Sequence, residues 1–219
     1  MIDISPANDL FTLVITIAIR ADEHGELLQQ FVDTTREHSR APGFVSCTLH
    51  SSPEHGRLAE YIQWRDRRSW EAVTSSAAGK EHVEKFLPDS DVGIYDVASV
   101  QVPRGTASRD SAARMTPRLD VLTTLTVIHC VRTVFTDLLA ATSEVVEALR
   151  QQPGFLAAGV HRGVDEDRVA VYGQWVDEHT WATALSARDV APLLQRANAL
   201  GSGESRAYRA DFVADGPTT

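Results

Sequence analysis

Apolar and polar residues in the first half of the chain follow two spacings in turn, one typical of strands and one of helices. Phe11 to Ile19 is apolar and β-branched on both alternating faces, which predicts a strand covered on both sides. From Asp22 the apolar residues recur at helical spacing until Pro42-Gly43, a helix stop. The pattern then predicts a hairpin of strands over 44–50 and 58–64, helices from Asp66 and over 79–86 ending at Pro88, and a strand over 92–102. This order of elements is the ferredoxin-like arrangement.

The whole pattern occurs twice. Tyr61-Ile62-Gln63-Trp64 returns as Tyr172-Gly173-Gln174-Trp175, with residue numbers that differ by 111. The same offset, without a gap, relates further pairs: Pro42-Gly43-Phe44 and Pro153-Gly154-Phe155, His50 and His161, Arg57 and Arg168, and Trp70 and Trp181. So long a period indicates domain duplication rather than a solenoid. We predict ferredoxin-like domains at residues 8–104 and 119–215, joined by a polar linker at 105–118.

The second domain repeats the predicted elements of the first. It has strands over 121–128, 155–161, 169–175 and 207–213, and helices around 138–149, from Asp177 and over 190–200. Asp66 and Asp177 are placed to cap the helices that follow them. Because the strands are apolar on both faces, one sheet face of each domain needs a cover. The predicted fold is therefore α+β, with two domains packed sheet to sheet as an intrachain, pseudo-dimeric barrel.

Composition narrows the classes of partner. The formal charge is -9, and the 21 Lys and Arg residues form no long basic run, which argues against a nucleic-acid partner. No signal peptide and no apolar span of membrane length are present, so we expect a cytoplasmic protein without a membrane partner. Cys47 and Cys130 are not equivalent in the repeat, and we expect both to be buried free thiols.

Pro-Gly-Phe opens the second strand of each half, and a Trp closes the third strand just before a helix. With the order of elements, these motifs resemble the antibiotic biosynthesis monooxygenase family, across both halves. The resemblance implies the dimeric α+β barrel fold, here fused into one chain. It also implies an oxygenase that works without metal or flavin: an aromatic substrate is deprotonated, and the carbanion reacts with molecular oxygen to give a quinone. No GxGxxG, HExxH or P-loop motif is present, so no cofactor is expected.

The resemblance places a pocket between each sheet and its helices. Trp64 and Trp175 are candidate catalytic or pocket-lining residues, with core packing as the alternative. His82 and His129 are further catalytic candidates because each lacks a counterpart: Leu193 corresponds to His82, and Ala18 to His129. Predicted substrate-binding residues are Trp70, Trp181, Thr16, Phe31 and Phe86.

Other repeated polar residues have simpler interpretations. His50 and His161 precede turn residues and are expected to be solvated at strand ends. Arg57 and Arg168 are expected on the surface, paired with Glu54 or Asp165. Strand alternation puts Tyr61, Gln63, Tyr172 and Gln174 on the face opposite the tryptophans, toward the seam between the halves. Haem-degrading members of the family carry an Asn on the first strand and a His on the second helix, which this sequence lacks.

The function hypothesis is a cofactor-independent oxygenase for an aromatic, polyketide-type substrate, with molecular oxygen as the second reactant. Two alternatives use the same apolar pocket: a polyketide cyclase or other tailoring enzyme that needs no oxygen, and a non-catalytic small-molecule-binding protein. The sequence leaves open which half is active and whether the fused pair associates further.

Overall fold

A computed structural model describes residues 4–54, 56–86, 90–103 and 119–217. The described residues form two units. Unit 1 comprises residues 9–95 with 209–217, and unit 2 comprises residues 4–8 with 96–208, over the described positions. The predicted linker at 105–118 and the predicted helix end at Pro88 lie outside the described residues.

The secondary structure follows the predicted order in both halves. The strands are β1 (Phe11–Ala18), β2 (Phe44–Ser51), β3 (Arg57–Trp64), β4 (Ser90–Gln101), β5 (Leu122–His129), β6 (Phe155–Gly163), β7 (Arg168–Trp175) and β8 (Ser202–Asp215). The helices are α1 (His24–His38), α2 (Arg67–Thr74), α3 (Ala77–Phe86), α4 (Phe135–Leu149), α5 (Glu178–Leu185) and α6 (Ala191–Asn198). A 3₁₀ turn at Arg132–Val134, which the pattern does not predict, precedes α4.

The sheet of unit 1 is antiparallel, with β1 between β3 and β4. Leu13 lies opposite Ile62 on β3 and opposite Ile94 on β4. On the other side of β3 lies β2, and β2 pairs in turn with the later part of β8, where Thr48 lies opposite Val213. A core of apolar side chains from the sheet packs with those of α1 and α3.

Unit 2 repeats this arrangement. On β7, Trp175 lies opposite Leu122 of β5 and opposite Phe155 of β6. The apolar face of α4, which includes Leu138, Val146 and other buried aliphatic residues, packs with α6 and these strands in one core.

The hydrogen-bonded strand order is β4-β1-β3-β2-β8 in unit 1 and β8-β5-β7-β6-β4 in unit 2, where β4 and β8 each contribute one part to either unit. The predicted fold class, α+β with two ferredoxin-like halves, is confirmed. Strand β8 is longer than predicted because residues 202–208 belong to unit 2 and residues 209–215 pair with β2 in unit 1. No helix within the described part of the chain combines the length and the apolar character needed to cross a bilayer.

The predicted helix caps are present in both halves. The Asp66 carboxylate accepts a hydrogen bond from the Ser69 backbone N–H at 2.7 Å, and Asp177 accepts one from the Thr180 N–H at 2.8 Å. Both are the expected helix N-caps. The glycines of the Pro-Gly-Phe turns, Gly43 and Gly154, have positive φ angles of 86° and 82°.

The predicted solvation of the paired histidines is wrong. His50 is 2% exposed and His161 is fully buried, because neighbouring strands and side chains cover the face to which they point. Each Nδ1 lies within hydrogen-bonding distance of a backbone carbonyl oxygen, that of Ala59 at 3.3 Å and that of Gly159 at 3.1 Å. Burial lowers the pKa of both imidazoles to about 4.

The surface interpretation of Arg168 is also wrong. Its side chain is 4% exposed, and its guanidinium lies 3.4 Å from the Glu166 carboxylate. Both cysteines are free thiols as predicted, but only Cys47 is fully buried, whereas Cys130 is partly exposed. On the face opposite Trp64, Gln63 accepts a hydrogen bond from the Ser46 hydroxyl at 3.2 Å.

Candidate active site

Unit 1 contains a two-part cleft between its helices and one face of its sheet. The outer part is an open groove of about 670 Å³, lined mainly by α1 and α3. The inner part is a chamber of about 40 Å³, lined by residues of α1, β2, β3, α2 and α3. Thr34, His38 and His82 line both parts, so they stand where the groove meets the chamber.

His82 lies on α3 in contact with aromatic rings and a hydroxyl. Its ring centroid is 5.3 Å from that of Phe31 and 4.8 Å from that of Phe86. Its Nδ1 lies 3.4 Å from the Thr34 hydroxyl oxygen. Burial, helped by the charges of His38 and Lys85, lowers the pKa of His82 to about 4. The imidazole is therefore neutral at pH 7 and can accept a proton.

His38 ends α1 beside His82. The two imidazole centroids are 6.4 Å apart, and the His38 centroid is 6.2 Å from the Trp64 ring. Burial lowers the pKa of His38, although the charge of Glu37 opposes the shift. A pair of neutral imidazoles thus stands at the entrance to the chamber.

Glu60 contributes a carboxyl group to the chamber wall. It lies on β3, is 7% exposed, and has no hydrogen-bond partner for its carboxyl among the described residues. Burial raises its pKa to about 8. Because an unpaired buried carboxylate is costly, the group is a neutral acid at pH 7 and can donate a hydrogen bond.

Trp64 and Cys47 contribute further polar atoms to the chamber wall. The Trp64 ring packs edge-to-face on Phe44, with centroids 5.1 Å apart, and its indole N–H is buried without a partner within the described ranges. The Cys47 Sγ lies 3.9 Å from the Thr35 hydroxyl, and burial, with the Glu60 charge as a second cause, raises its pKa well above the usual value. Cys47 is thus a protonated, weakly reactive thiol.

Several predicted residues meet at this cleft. Trp70 lines the chamber, Phe86 lines the groove, and Phe31 packs on both Phe86 and His82. Thr16 does not line either part. Its neighbour Ile15 lines the chamber, so alternation along β1 turns the Thr16 side chain to the other face.

The equivalent face of unit 2 is built differently. An apolar cavity of about 280 Å³ lies there, with Trp175 and Trp181 in its wall. The 111-residue offset matches His38, Glu60 and His82 with Leu149, Val171 and Leu193. His129 is exposed at the end of β5 and does not line this cavity. The structure therefore brings His82 and Trp64 into one site, but not His129 and Trp175.

Sequence reasoning missed His38 and Glu60. Both could have been found by carrying the offset along every element, because each is a titratable residue in one half and aliphatic in the other. Strand alternation also puts Glu60 on the same face as Trp64. Within the part of the chain that the structure describes, no group of three or more His, Cys, Asp or Glu residues is arranged to hold a metal ion.

The sequence profile of the antibiotic biosynthesis monooxygenase family matches residues 10–85 and 134–191, which is more than half of the chain. The chain belongs to the antibiotic biosynthesis monooxygenase family. The first matched segment contains His38, Glu60, Trp64 and His82, so the unit 1 cleft lies within the family domain.

Relatives of this family member include the tetracenomycin-F1 monooxygenase of Streptomyces glaucescens, 34% identical over 85 residues, or 38% of this chain and 76% of that protein. Among solved structures, an anthrone oxidase-like protein has a TM-score of 0.83 at 18% identity, covering 99% of this chain and 98% of the other. A protein from Fusobacterium nucleatum has a TM-score of 0.66 at 9% identity, with 94% of both chains covered. At these identities the two structures establish the fold alone.

The family profile therefore matches a segment in each half of this family member, and the two sites are lined by different side chains. The unit 1 cleft has ionisable groups and an indole N–H. The unit 2 cavity is larger than the inner chamber of unit 1 and lacks Asp, Glu, His, Lys and Arg in its described lining.

Proposed function

We propose that the chain is a cofactor-independent oxygenase that acts on an aromatic, polyketide-type substrate at the unit 1 cleft. The observation that carries the proposal is the convergence of His38, Glu60, Trp64 and His82 at one small chamber inside a family domain. The similarity to a tetracenomycin-F1 monooxygenase supports the class of substrate.

The groove and the chamber suit two reactants of different size. The open groove, of about 670 Å³, falls in the range of small-molecule sites, about 300–1,000 Å³. Its wall includes the flat ring of Phe86, against which an aromatic substrate can pack. The chamber, of about 40 Å³, has room for a molecule the size of water or dioxygen. In this arrangement the substrate lies in the groove, with its reactive carbon at His82.

The chemistry then follows from the protonation states. The neutral His82 imidazole accepts a proton from an acidic C–H of the substrate, such as the methylene of an anthrone. The protonated Glu60 carboxyl and the Trp64 N–H donate hydrogen bonds to the negative charge that develops on oxygen. The methylene carbon forms a bond to oxygen and the O–O bond breaks. One oxygen atom stays as the new carbonyl and the other leaves as water, so the substrate supplies all the electrons.

The first test compares anthrone conversion in air and under nitrogen, with protein-free controls for spontaneous oxidation. We expect the quinone only in air, with one labelled oxygen atom from ¹⁸O₂. Equal product without oxygen would exclude oxygenation. Anaerobic turnover of a poly-β-ketone analogue would instead indicate a cyclase.

The second test replaces one unit 1 residue with the residue at the equivalent position of unit 2. His82→Leu introduces the residue found at the equivalent position, Leu193, and should lower kcat/KM by about 100-fold or more because it removes the proton acceptor. The matched control is Leu193→His, which changes the same position in the other half and should leave the activity unchanged. Full activity of His82→Leu would show that the reaction does not take place in the unit 1 cleft.

A further inference from the structure

The residues that line the unit 2 cavity suit an uncharged ligand. It measures about 280 Å³, and apolar side chains and the rings of Trp175 and Trp181 make up most of its lining. Its polar side chains are neutral: three Thr, Asn198 and Ser205. Because an unpaired charge in such walls would lose its hydration without compensation, a charged ligand is disfavoured.

Two positions in the cavity wall carry smaller residues than their counterparts in unit 1. Gly173 and Ala197 line the cavity, and the positions that correspond to them in unit 1 are Ile62 and Phe86. A Cβ atom added at Gly173 would lie 2.6 Å from the Thr124 hydroxyl oxygen, so the backbone approaches its neighbour closely here. Thr124 therefore occupies the space that the isoleucine side chain would take, and the absence of the phenyl ring at Ala197 leaves volume that a ligand can fill.

The buried hydroxyl of Thr142 is a separate observation that points to a ligand in this cavity. It lines the cavity from α4, is 3% exposed, and its hydroxyl has no hydrogen-bond partner within the described ranges. Phe31 holds the corresponding position in unit 1. Leaving a buried hydroxyl unpaired is unfavourable, and an acceptor oxygen on a ligand would satisfy it. Elsewhere in the wall, by contrast, the hydroxyls of Thr126 and Ser205 bond each other at 2.7 Å.

We propose that unit 2 binds, without converting it, a neutral and mostly apolar ring compound with a carbonyl oxygen that accepts a hydrogen bond from Thr142. A cavity of about 280 Å³ suits a compound of about two to three fused rings. No conversion is expected, since Leu149, Val171 and Leu193 replace the ionisable residues of the unit 1 cleft. This inference does not depend on whether unit 1 is an oxygenase.

The test uses 9-fluorenone, which is planar, neutral and bears one carbonyl, titrated into the full-length chain by calorimetry. Fluorene, which lacks the oxygen, and 9-fluorenone-2-carboxylate, which is charged, are the matched probes. We expect fluorenone to bind at least about tenfold more tightly than the carboxylate, because the cavity disfavours an unpaired charge.

Three variants locate the site. Ala197→Phe copies the unit 1 residue, fills the cavity and should weaken fluorenone binding at least about tenfold. Thr142→Val removes only the hydroxyl and should weaken binding of fluorenone about fivefold but leave that of fluorene unchanged. His82→Leu alters the unit 1 cleft: it can weaken only fluorenone that binds there, and the binding that depends on Thr142 and Ala197 should remain.

Thr142→Val keeps the test decisive if Ala197→Phe fails to fold, because the substitution preserves side-chain shape. The proposal is overturned if fluorenone does not bind, if its carboxylate binds equally well, or if Thr142→Val does not separate fluorenone from fluorene. Loss of binding in His82→Leu with full binding in Ala197→Phe would assign the ligand to unit 1 instead.

Discussion

Glu60 is a carboxylic acid that its buried surroundings keep protonated at pH 7. Its carboxyl lies in the unit 1 chamber, 7% exposed, and burial raises its pKa to about 8. In unit 2 the corresponding residue is Val171, which needs no hydration. Keeping an acid in such a place lowers the stability of the fold as the pH rises above about 4.5, which is consistent with a role in chemistry.

The first prediction concerns this acid. The folded-state pKa of about 8 lies above the ordinary value of 4.5, so the folded protein holds the proton more tightly. The contribution of Glu60 to stability is complete below pH 4.5 and is lost as the pH rises to about 8, on the order of 5 kcal/mol. Glu60→Gln should remove this loss.

Urea unfolding of both proteins from pH 5 to pH 9 measures the difference. The histidine contributions are common to both and cancel. We expect Glu60→Gln to become more stable relative to wild type as the pH rises. A difference that does not change with pH would mean that Glu60 titrates normally.

At the scale of elements, equivalent sequences build equivalent connections. The N-terminus of α2 carries the Asp66 cap and that of α5 the Asp177 cap. Just before β2 and β6, the turn glycines Gly43 and Gly154 lie against Ser69 and Thr180, in the first turn of the capped helices. These contacts set the position of each helix relative to its sheet.

The second prediction is that both caps stabilise the fold. Asp66→Ala and Asp177→Ala should each lower Tm by about 2–4 °C at pH 7, because a backbone N–H loses its acceptor. The pKa of each carboxylate is lowered below 3.8, chiefly by the backbone N–H that it accepts from, so the contribution is present above this pH and lost below it. Thermal melts at pH 7 and pH 3 check this, with Asp→Asn controls that retain an acceptor oxygen.

The third prediction concerns the turn glycines. Gly43→Ala and Gly154→Ala should each destabilise the protein by more than about 1 kcal/mol, since φ is positive and the new Cβ would overlap Ser69 or Thr180. Gly25→Ala is the control, because nothing lies within 4 Å of its added Cβ and it lies in the first turn of α1. Chemical unfolding should show Gly25→Ala as stable as wild type or more so.

At the scale of the whole molecule, the two copies share their framework and differ in their sites. Both keep a buried histidine at the same repeat position, His50 and His161, and an edge-to-face Phe-Trp pair, with centroids 5.1 and 5.3 Å apart. The changes lie in the lining of the cleft and the cavity. Duplication has therefore allowed the two copies to differ in site chemistry within one fold.

The fourth prediction is that these two histidines make the protein acid-labile. Their folded-state pKa of about 4 lies below the ordinary 6.5, so unfolding takes up protons between these values. Stability is complete above pH 6.5 and falls as the pH drops to about 4, by on the order of 3 kcal/mol for each histidine.

His50→Gln and His161→Gln check this through the slope of unfolding free energy against pH. Near pH 5, each variant should take up about one proton fewer on unfolding than wild type. The slope is diagnostic even if the substitution itself lowers stability. An unchanged slope would show that the imidazole is charged in the folded state.

The sequence by itself determined the framework. Duplication, the order of elements, the two aspartate caps and the face of each strand that carries its tryptophan all follow from spacing, which local backbone geometry imposes. The 111-residue offset also shows that the two halves differ at one equivalent position, where the first has His82 and the second has Leu193. These features are encoded by neighbours in the chain or by exact repetition along it.

Only the tertiary structure decided which residues meet. His38 ends α1, Glu60 lies within β3 and His82 lies on α3, and packing brings them to one chamber while leaving His129 exposed. Packing also buried His50 and His161, which local sequence had suggested were solvated. Burial and the resulting pKa depend on atoms contributed by distant segments, and for this reason spacing along the chain does not reveal them.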